Sequence, residues 1–241
     1  MSKSTSEETP SASPEAALYV VGTPIGNLSD LSQRATDLLC SCDWIACEDT
    51  RKTGQLLKRI ESTRPTLSCH EHNEKDRASE LADKIASGQS VALVSDAGTP
   101  AISDPGFRVV RECRRRGLKV VPIPGPSAVI AALCASGLPT NGFLYVGFLA
   151  PKSAARRRFL EEHKDFAYTL ALYESSHRIG KFAVEMVEVL GPERVVCLAR
   201  EVTKLHETFL IGSAESVAAQ LTGNNLKGEF TVLIAPASYE L

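Results

Sequence analysis

Apolar and polar positions alternate along the chain in a pattern that predicts strands separated by helices. Ten apolar runs have the length and composition of half-buried or fully buried strands. They are Leu18–Gly22, Trp44–Cys47, Thr66–Cys69, Val91–Ser95, Lys119–Ile123, Phe143–Phe148, Tyr168–Tyr173, Arg194–Arg200, Glu207–Ile211 and Glu229–Ala235. Segments with helical periodicity lie between most of them, for example Asp30–Cys40, Lys75–Ser87 and Gly106–Arg116. This alternation predicts parallel sheet with crossover helices.

The second half of the chain has a different pattern. Arg194–Arg200 and Glu207–Ile211 are joined by a short polar segment, which predicts an antiparallel hairpin. A boundary is predicted at Pro122–Pro126, because its three prolines end a strand and cannot continue a helix. We therefore predict the α/β fold class with two α/β domains, one over residues 17–124 and one over residues 125–241.

The start of the chain and its composition narrow the class of protein. Residues 1–16 are polar, rich in Ser, Thr, Glu and Pro, and predict a disordered tail without the apolar core of a signal peptide. No apolar run approaches the roughly 18 residues needed to span a membrane, so we expect a cytoplasmic protein with no membrane partner. The net charge of −2 argues against a sequence-blind nucleic-acid coat but allows a local basic patch. Seven cysteines, an odd number, favour reduced thiols over a disulfide framework.

Loops rich in glycine and proline follow three predicted strands of the first half. They lie in Gly22–Asn27, Val91–Gly106 and Pro124–Ala128. Ligands of open α/β sheets bind beyond the carboxyl ends of the strands, and glycine lets the backbone approach a ligand closely. The three loops therefore outline one predicted pocket. Each alone has a simpler interpretation as a turn that caps a helix, with Asp30, Asp104 or Ser127 as the N-cap, although a cap does not account for Asp96 to Thr99.

Charged side chains also follow strands. Ala46–Lys52 combines two acidic and two basic residues, and Leu172–Arg178 places Glu174 and Arg178 at a strand end. The alternative is a solvated, self-neutralising cluster in the first segment and a serine cap in the second. The run Lys152–Arg158 is basic and follows a strand, so it is a candidate for phosphate contacts or a solvated helix face.

Two further kinds of site are disfavoured. The cysteines and histidines between Cys40 and His72 do not have the spacing of a zinc site. Ser176 and His177 are adjacent and would diverge on a helix, and the chain lacks the Gly-x-Ser-x-Gly motif of a serine hydrolase. We therefore expect neither a metal site nor a serine nucleophile.

Four segments taken together resemble the tetrapyrrole-methylase superfamily, and in particular its ribosomal RNA branch. They are Leu18–Leu28, Glu48–Arg51, Val94–Gly106 and Pro124–Ala128. The strings Thr-Pro-Ile-Gly-Asn and Ser-Asp-Ala-Gly-Thr-Pro are highly specific in combination. The match continues in order through Tyr173–Arg178, Ala199–Lys204 and Lys227–Glu229, and so covers Leu18 to Ala235. Longer members of the family carry a further C-terminal segment.

The resemblance implies two α/β domains with S-adenosylmethionine in the cleft between them, a homodimer, and 2′-O-methylation of a cytidine. The cytidine lies in the decoding region of 16S rRNA in the small ribosomal subunit. Carried over residue by residue, the cofactor-binding positions of the family fall on Pro24, Ala97, Gly98, Thr99, Ile102, Ser127, Ala128, Glu174 and Gly228.

Methyl transfer from a sulfonium depends on alignment and needs no metal, but a nearby base would help a ribose hydroxyl to react. The candidate catalytic bases are Asp49, His70, Asp96 and Glu174. Asp96 is preferred because it lies in the most distinctive loop. The candidate RNA contacts are Arg51, Lys152, Arg156, Arg157 and Arg178.

Two alternatives stay open from the sequence. A methyltransferase of the same fold that acts on a porphyrinoid or corrin ring would share the cofactor loops, and it would not need the basic run. A non-catalytic factor that binds RNA or an adenosyl nucleotide would also keep those loops. Observation of methyl transfer distinguishes the enzyme from the binding factor.

Overall fold

A computed structural model describes residues 14–241, which form two compact units. The first unit holds the described residues up to Thr23 together with Ser29–Gly125, and the second holds Pro24–Leu28 and Pro126–Leu241. The sequence predicts a single change of domain between residues 124 and 125, whereas Pro24–Leu28 groups with the second unit.

The predicted disordered tail lies partly outside the described residues, which begin at residue 14. Within them, the Tyr19 hydroxyl donates to the Glu15 backbone carbonyl at 3.1 Å, and the Glu15 carboxylate pairs with Lys119. Residues 14–16 are therefore attached to the first unit, which corrects the tail prediction for these three positions.

The first unit is a parallel five-stranded sheet with helices on both faces. Its strands are β1 (Leu18–Val21), β2 (Trp44–Cys47), β3 (Thr66–Ser68), β4 (Val91–Val94) and β5 (Val120–Ile123), in the order β3-β2-β4-β1-β5. Its helices are α1 (Gln33–Ser41), α2 (Thr50–Arg59), α3 (Glu74–Ala86) and α4 (Phe107–Arg115). A 3-10 turn, Leu28–Asp30, precedes α1. Because parallel strands are covered on both faces, they read as continuous apolar runs.

Alternation along β1 divides its side chains between two cores. Tyr19 and Val21 pack with α1 and Ile45 on one face, whereas Leu18 packs with Leu81 on the other. Burial of such side chains contributes roughly 1.5–3 kcal/mol each.

The second unit is a mixed five-stranded sheet. Its strands are β6 (Phe143–Phe148), β7 (Thr169–Ser175), β8 (Val195–Arg200), β9 (Thr208–Ser213) and β10 (Glu229–Ile234), in the order β6-β7-β10-β8-β9. Its helices are α5 (Ala128–Ala135), α6 (Ser153–Glu162), α7 (Ile179–Leu190) and α8 (Ala214–Gln220), with a 3-10 helix at Gly223–Leu226. Only β6 and β7 pair in parallel within this sheet, and β8 and β9 form the predicted antiparallel hairpin.

The predicted α/β fold class is confirmed, and the ends of the observed strands fall within two residues of the predicted ends. Three suggested helix caps were wrong. Ser32 and not Asp30 caps α1, and Arg178 and not a serine occupies the N-cap position of α7. Asp104 does not cap α4, whose N-cap is Gly106. The buried carboxylate of Glu74 instead accepts hydrogen bonds from the backbone N–H groups of Gly106 and Arg108, at 2.9 and 2.7 Å. A side chain from α3 therefore supplies the cap, and local sequence gives no sign of it. Across residues 14–241, no helix has the length and apolar character required to cross a bilayer.

Candidate functional site

Two glycines bring together the loops that follow β1 and β5. Gly22 N–H donates to the Ile123 carbonyl at 3.1 Å. A Cβ on Gly22 would lie 2.7 Å from the Cα of Gly125, and a Cβ on Gly125 would lie 2.7 Å from the Gly22 backbone. No side chain fits at either position without moving a loop, so this part of the site is formed by bare backbone.

The loop after β4 joins the same group. Thr23 and Gly98 exchange two backbone hydrogen bonds, at 2.9 and 3.1 Å. Farther along this loop, Ala101 and Ser103 have φ of +68° and +60°, a conformation that costs an L-residue roughly 1–3 kcal/mol. Ile102 lies between them and is 47% exposed. The structure thus brings the three loops together at one end of the sheet, as the sequence predicted.

Acidic and basic side chains lie beyond β2 and β4 in the same unit. Asp96 accepts from the Asp49 backbone N–H at 3.1 Å and pairs with Lys52 at 2.8 Å. Asp49 caps α2 through the Arg51 N–H and also binds the Arg51 side chain, which is 87% exposed. The Arg51 side chain is the main cause that lowers the pKa of Asp49 to about 2, so Asp49 is a weak base.

Two further carboxylates here have raised pKa values. Burial, the negative charge of Glu48 and that of Asp96 raise the pKa of Asp104 to about 6, although a hydrogen bond from Ser95 acts in the opposite direction. Burial and then the charge of Asp96 raise the pKa of Glu48. When carboxyl groups lie close together, the negative charge of one makes ionisation of its neighbour less favourable.

His70, the fourth candidate base, follows β3. Its backbone N–H donates to the Asn73 side chain at 2.8 Å, and its ring lies 5.9 Å from that of His72. The Nδ1 atom of His70 is buried and has no hydrogen-bond partner among the described residues. Over residues 14–241, no group of three or more His, Cys, Asp or Glu has the arrangement of a metal site.

In the second unit, Glu174 is a fully buried carboxylate at the end of β7. Its Oε1 atom accepts from the Ser175 N–H at 2.6 Å and from Arg178 Nε at 2.8 Å. Its Oε2 atom is buried and lacks a partner within the described part of the chain. A buried polar atom without a partner is rare and marks a place where a ligand donor fits.

The residue before Glu174 reaches the loop that opens α5. The Tyr173 hydroxyl accepts from the Val129 N–H at 3.3 Å. Ser127 occupies the N-cap position of α5, but its side chain makes no capping hydrogen bond. Ser127, Ala128 and Glu174 therefore lie on neighbouring elements of one unit.

A third part of the second unit is held by Lys204, which the sequence did not single out. Lys204 Nζ pairs with Glu201 and Glu229, at 2.9 Å each. A Cβ on Gly228, whose φ is +103°, would lie 2.6 Å from the Glu201 side chain, and a Cβ on Gly26 would overlap Lys204. Gly26 and Gly228 thus both pack against the Glu201–Lys204 segment.

The basic run after β6 is not uniform. Arg156 is 3% exposed and binds Glu185 of α7 through Nε at 2.7 Å and Nη2 at 2.5 Å. This corrects the prediction that Arg156 contacts RNA. Arg157 pairs with Glu188 at the surface, and Lys152 is exposed without an ion pair to any described residue. Arg178 is mostly buried and also donates to the Leu149 carbonyl at 3.3 Å.

Asp104 and Lys204 belong to these groups, and the sequence did not identify them as members. Asp104 was interpreted as a cap because Asp-Pro-Gly is a frequent helix start. Lys204 pairs with Glu201, three residues before it, and with Glu229, 25 residues after it, so the nearer acidic residue is a signal that could have been used.

The fold and the loops define a methyltransferase class with two α/β units. The family profile of the tetrapyrrole (corrin/porphyrin) methylases matches residues 17–218, and the chain belongs to this family.

Several curated relatives share the name ribosomal RNA small subunit methyltransferase I. The protein from Vibrio cholerae is 51% identical over 222 residues, which is 90% of this chain and 76% of that protein. The protein from Synechocystis is 46% identical, with 92% of this chain and 80% of that protein covered. The protein from Escherichia coli O157:H7 is 46% identical over 91% of this chain and 78% of its own length.

Solved structures resemble the fold at lower identity. Uroporphyrin-III C-methyltransferase from Thermus thermophilus, complexed with S-adenyl homocysteine, has a TM-score of 0.61 at 20% identity and covers 90% of this chain and 96% of its own. A cobalt-precorrin-4 methyltransferase of cobalamin biosynthesis has a TM-score of 0.64 at 16% identity, with 91% and 95% covered.

Proposed function

We propose that this protein transfers a methyl group from S-adenosylmethionine to the ribose 2′-hydroxyl of a cytidine in the decoding region of 16S rRNA. The small ribosomal subunit is the RNA partner. The relatives that are 46–51% identical and named for small-subunit ribosomal RNA support this substrate over a tetrapyrrole. The observation that carries the cofactor assignment is the close backbone contact of Gly22 with Gly125, which holds the loops after β1 and β5 together at the end of the sheet where ligands of open α/β sheets bind.

Each unit, considered on its own, contains residues that suit part of an S-adenosylmethionine molecule. In the first unit, the paired backbones of Gly98 and Thr23 hold the loop over Ala97, Gly98 and Thr99 in place, and exposed Ile102 offers an apolar surface for a flat base. In the second unit, Glu174 Oε2 can accept from an ammonium, amino or hydroxyl donor of the cofactor. Pro24, Ser127, Ala128 and Gly228 are assigned to the cofactor through the family pattern.

The bound cofactor supplies an activated methyl group on a sulfonium. The protein must align the ribose oxygen with that methyl and accept its proton. We assign Asp96 as the base that takes this proton, and its carboxylate accepts a hydrogen bond from Lys52 Nζ at 2.8 Å. Asp49 is less suited because of its low pKa, and Glu174 is less suited because Arg178 and Ser175 bind its Oε1 atom. His70 remains an alternative base.

Arg51, Lys152, Arg157 and Arg178 are the proposed contacts to RNA, and Arg156 is left out because it is buried. Arg51 and Lys152 are exposed, whereas Arg178 contributes mainly by fixing Glu174. The active form is proposed to be a homodimer that acts in the cytoplasm, where small subunits assemble.

The test is transfer of labelled methyl from S-adenosylmethionine to small subunits purified from cells that lack this protein. Nuclease digestion should yield a single 2′-O-methylated cytidine. The Asp96→Asn variant should lose at least about 100-fold in kcat while cofactor affinity stays unchanged, as is usual for a general base. Cofactor binding without label in RNA would reject the RNA substrate and favour a tetrapyrrole.

Gly125→Ala tests the cofactor loops. The added methyl would meet the Gly22 backbone at 2.7 Å, so we expect a loss of roughly 1–3 kcal/mol in stability and at least tenfold weaker cofactor binding by calorimetry. Gly54→Ala is the matched control, because no atom lies within 4 Å of a Cβ at that exposed helical position. Equal cofactor affinity in Gly125→Ala and wild type would contradict the assignment.

A further inference from the structure

A β-bulge near the end of β6 changes the direction of the side chain of its last residue, Phe148. Tyr145 pairs in register with Ala171, but Phe148 and not Gly147 pairs with Tyr173, so one extra residue stands in β6. Gly147 has φ of +66°, which glycine adopts at little cost. Without the extra residue, Phe148 would point to the opposite face of the sheet, where α6 and α7 pack. Bulges commonly redirect a side chain next to a functional site.

The bulge places Phe148 at the edge of an aromatic cluster that we call the aromatic face, formed by Tyr145, Phe148 and Tyr173. The ring centroids of Tyr145 and Tyr173 are 5.2 Å apart, and those of Phe148 and Tyr173 are 5.7 Å apart. The two tyrosines are half-buried against the core of the unit, whereas Phe148 is 56% exposed. An exposed aromatic ring that its neighbours hold in place offers a face on which another planar group can stack.

The surroundings of the aromatic face indicate what would cover it. Tyr173 precedes Glu174 and binds the Val129 N–H, so the cluster adjoins the second-unit positions assigned to the cofactor. Lys152 is exposed four residues after Phe148 and has no ion pair to any residue from 14 to 241. An exposed ring followed four residues later by an available cation suits an unstacked nucleotide, whose base stacks on the ring while its phosphate meets the cation.

We propose that Phe148 is a stacking platform for a nucleobase of the substrate RNA, with Lys152 binding the adjoining phosphate. This rests on the proposed function and adds to it a residue that selects single-stranded, unstacked RNA. The bulge at Gly147 directs the Phe148 ring to the face of the sheet that carries Tyr145 and Tyr173. Base stacking on aromatic side chains tolerates any base, so Phe148 contributes affinity rather than sequence preference.

The experiment compares Phe148→Ala, Phe148→Leu and Phe148→Trp with wild type in methyl transfer to unmethylated small subunits. We expect KM for the subunit to rise about tenfold in the Ala and Leu variants, with kcat and cofactor affinity nearly unchanged. The Trp variant should retain the wild-type KM, because it restores an aromatic face. Phe143→Ala is the matched control, since Phe143 is 42% exposed at the other end of β6.

A second readout uses fluorescence. Trp44 is the only tryptophan, so Phe148→Trp in a Trp44→Phe background reports from one position. Addition of a single-stranded RNA oligonucleotide should quench this tryptophan, and removal of the Lys152 charge should weaken the quenching.

The outcomes separate this inference from the proposed function. No methyl transfer by wild type would reject the function itself. Wild-type transfer with an unchanged KM in Phe148→Ala would reject the stacking platform alone. Conversion of a dimer to a monomer by Phe148→Ala in sedimentation would show that the ring lies in a subunit interface, and this too would overturn the inference.

Discussion

Two pairs of opposite charge show how differently the two units use the basic residues that follow their strands. In the second unit, Arg156 and Glu185 are 3% and 4% exposed in their side chains and lie 2.5 Å apart. In the first unit, Lys52 and Asp96 are 64% and 20% exposed and lie 2.8 Å apart. The distances are similar, but the solvation is not.

The difference assigns the pairs to different roles. Removing charges from water is costly, so a buried pair needs hydrogen bonds that satisfy both ions. Arg156 and Glu185 bind each other, and nearby backbone carbonyls accept further hydrogen bonds from Arg156. Arg156 also donates to the Pro151 carbonyl at 2.7 Å and so fixes the loop that carries Lys152. The exposed pair contributes little to folding and leaves the Asp96 carboxylate accessible for chemistry.

Arg156→Met should have the largest effect on stability. It leaves the buried Glu185 carboxylate without its cation, which costs about 3–5 kcal/mol in unfolding free energy. Urea denaturation measures the loss. Arg158→Ala is the control on the same helix, because Arg158 is 75% exposed and its loss should cost less than about 0.5 kcal/mol.

A double variant sharpens this result. Arg156→Met with Glu185→Leu removes both charges and should recover most of the lost stability, because no buried charge remains. If the double variant is as unstable as Arg156→Met alone, then packing and not the unpaired carboxylate explains the loss.

Asp104 is an intermediate case, a half-buried carboxylate without an ion pair in the described part of the chain. Burial is the main cause that raises its pKa to about 6, against about 3.9 in an unfolded chain. The folded state therefore binds the proton more tightly, and stability falls as the pH rises from about 4 to about 6 and stays lower above that.

Asp104→Asn should remove this pH-dependent cost. We expect a gain of about 1–2 kcal/mol in unfolding free energy at pH 7.5, allowing for partial solvent exposure, and almost none at about pH 4. Urea titrations at both pH values measure it, with the exposed Asp30→Asn as control. A gain of the same size at both values would show that charge is not the cause.

The strands were predictable because each is a short apolar run whose burial depends mainly on its own sequence. Arg156 and Arg157 show what was not predictable. They are neighbours in one basic run, and only the packing of α6 on α7 determines that the first meets Glu185, 29 positions away in sequence. The local sequence contains no information about that partner.

The candidate site likewise has one feature that was predictable from the sequence and one that was not. Convergence of the glycine loops followed from strand order, because loops at the same ends of adjacent parallel strands must meet. The direction of the Phe148 side chain could not be predicted in this way. One extra residue in β6 reverses the alternation that predicts which face of the sheet a side chain occupies.

Lys52→Met should have the smallest effect on stability and a clear one on activity. The Lys52 ammonium is mostly solvated, so the unfolding free energy should change by less than about 1 kcal/mol, and by less still in 1 M salt. Without this ammonium, the Asp96 carboxylate loses the side chain that binds its Oδ2 atom, so kcat for methyl transfer should fall while cofactor affinity stays unchanged. Lys58→Met is the control, an exposed lysine on the same helix that should leave both properties unchanged. A loss of stability comparable to that of Arg156→Met would remove the distinction between the two pairs, and an unchanged kcat would separate Lys52 from the chemistry of Asp96.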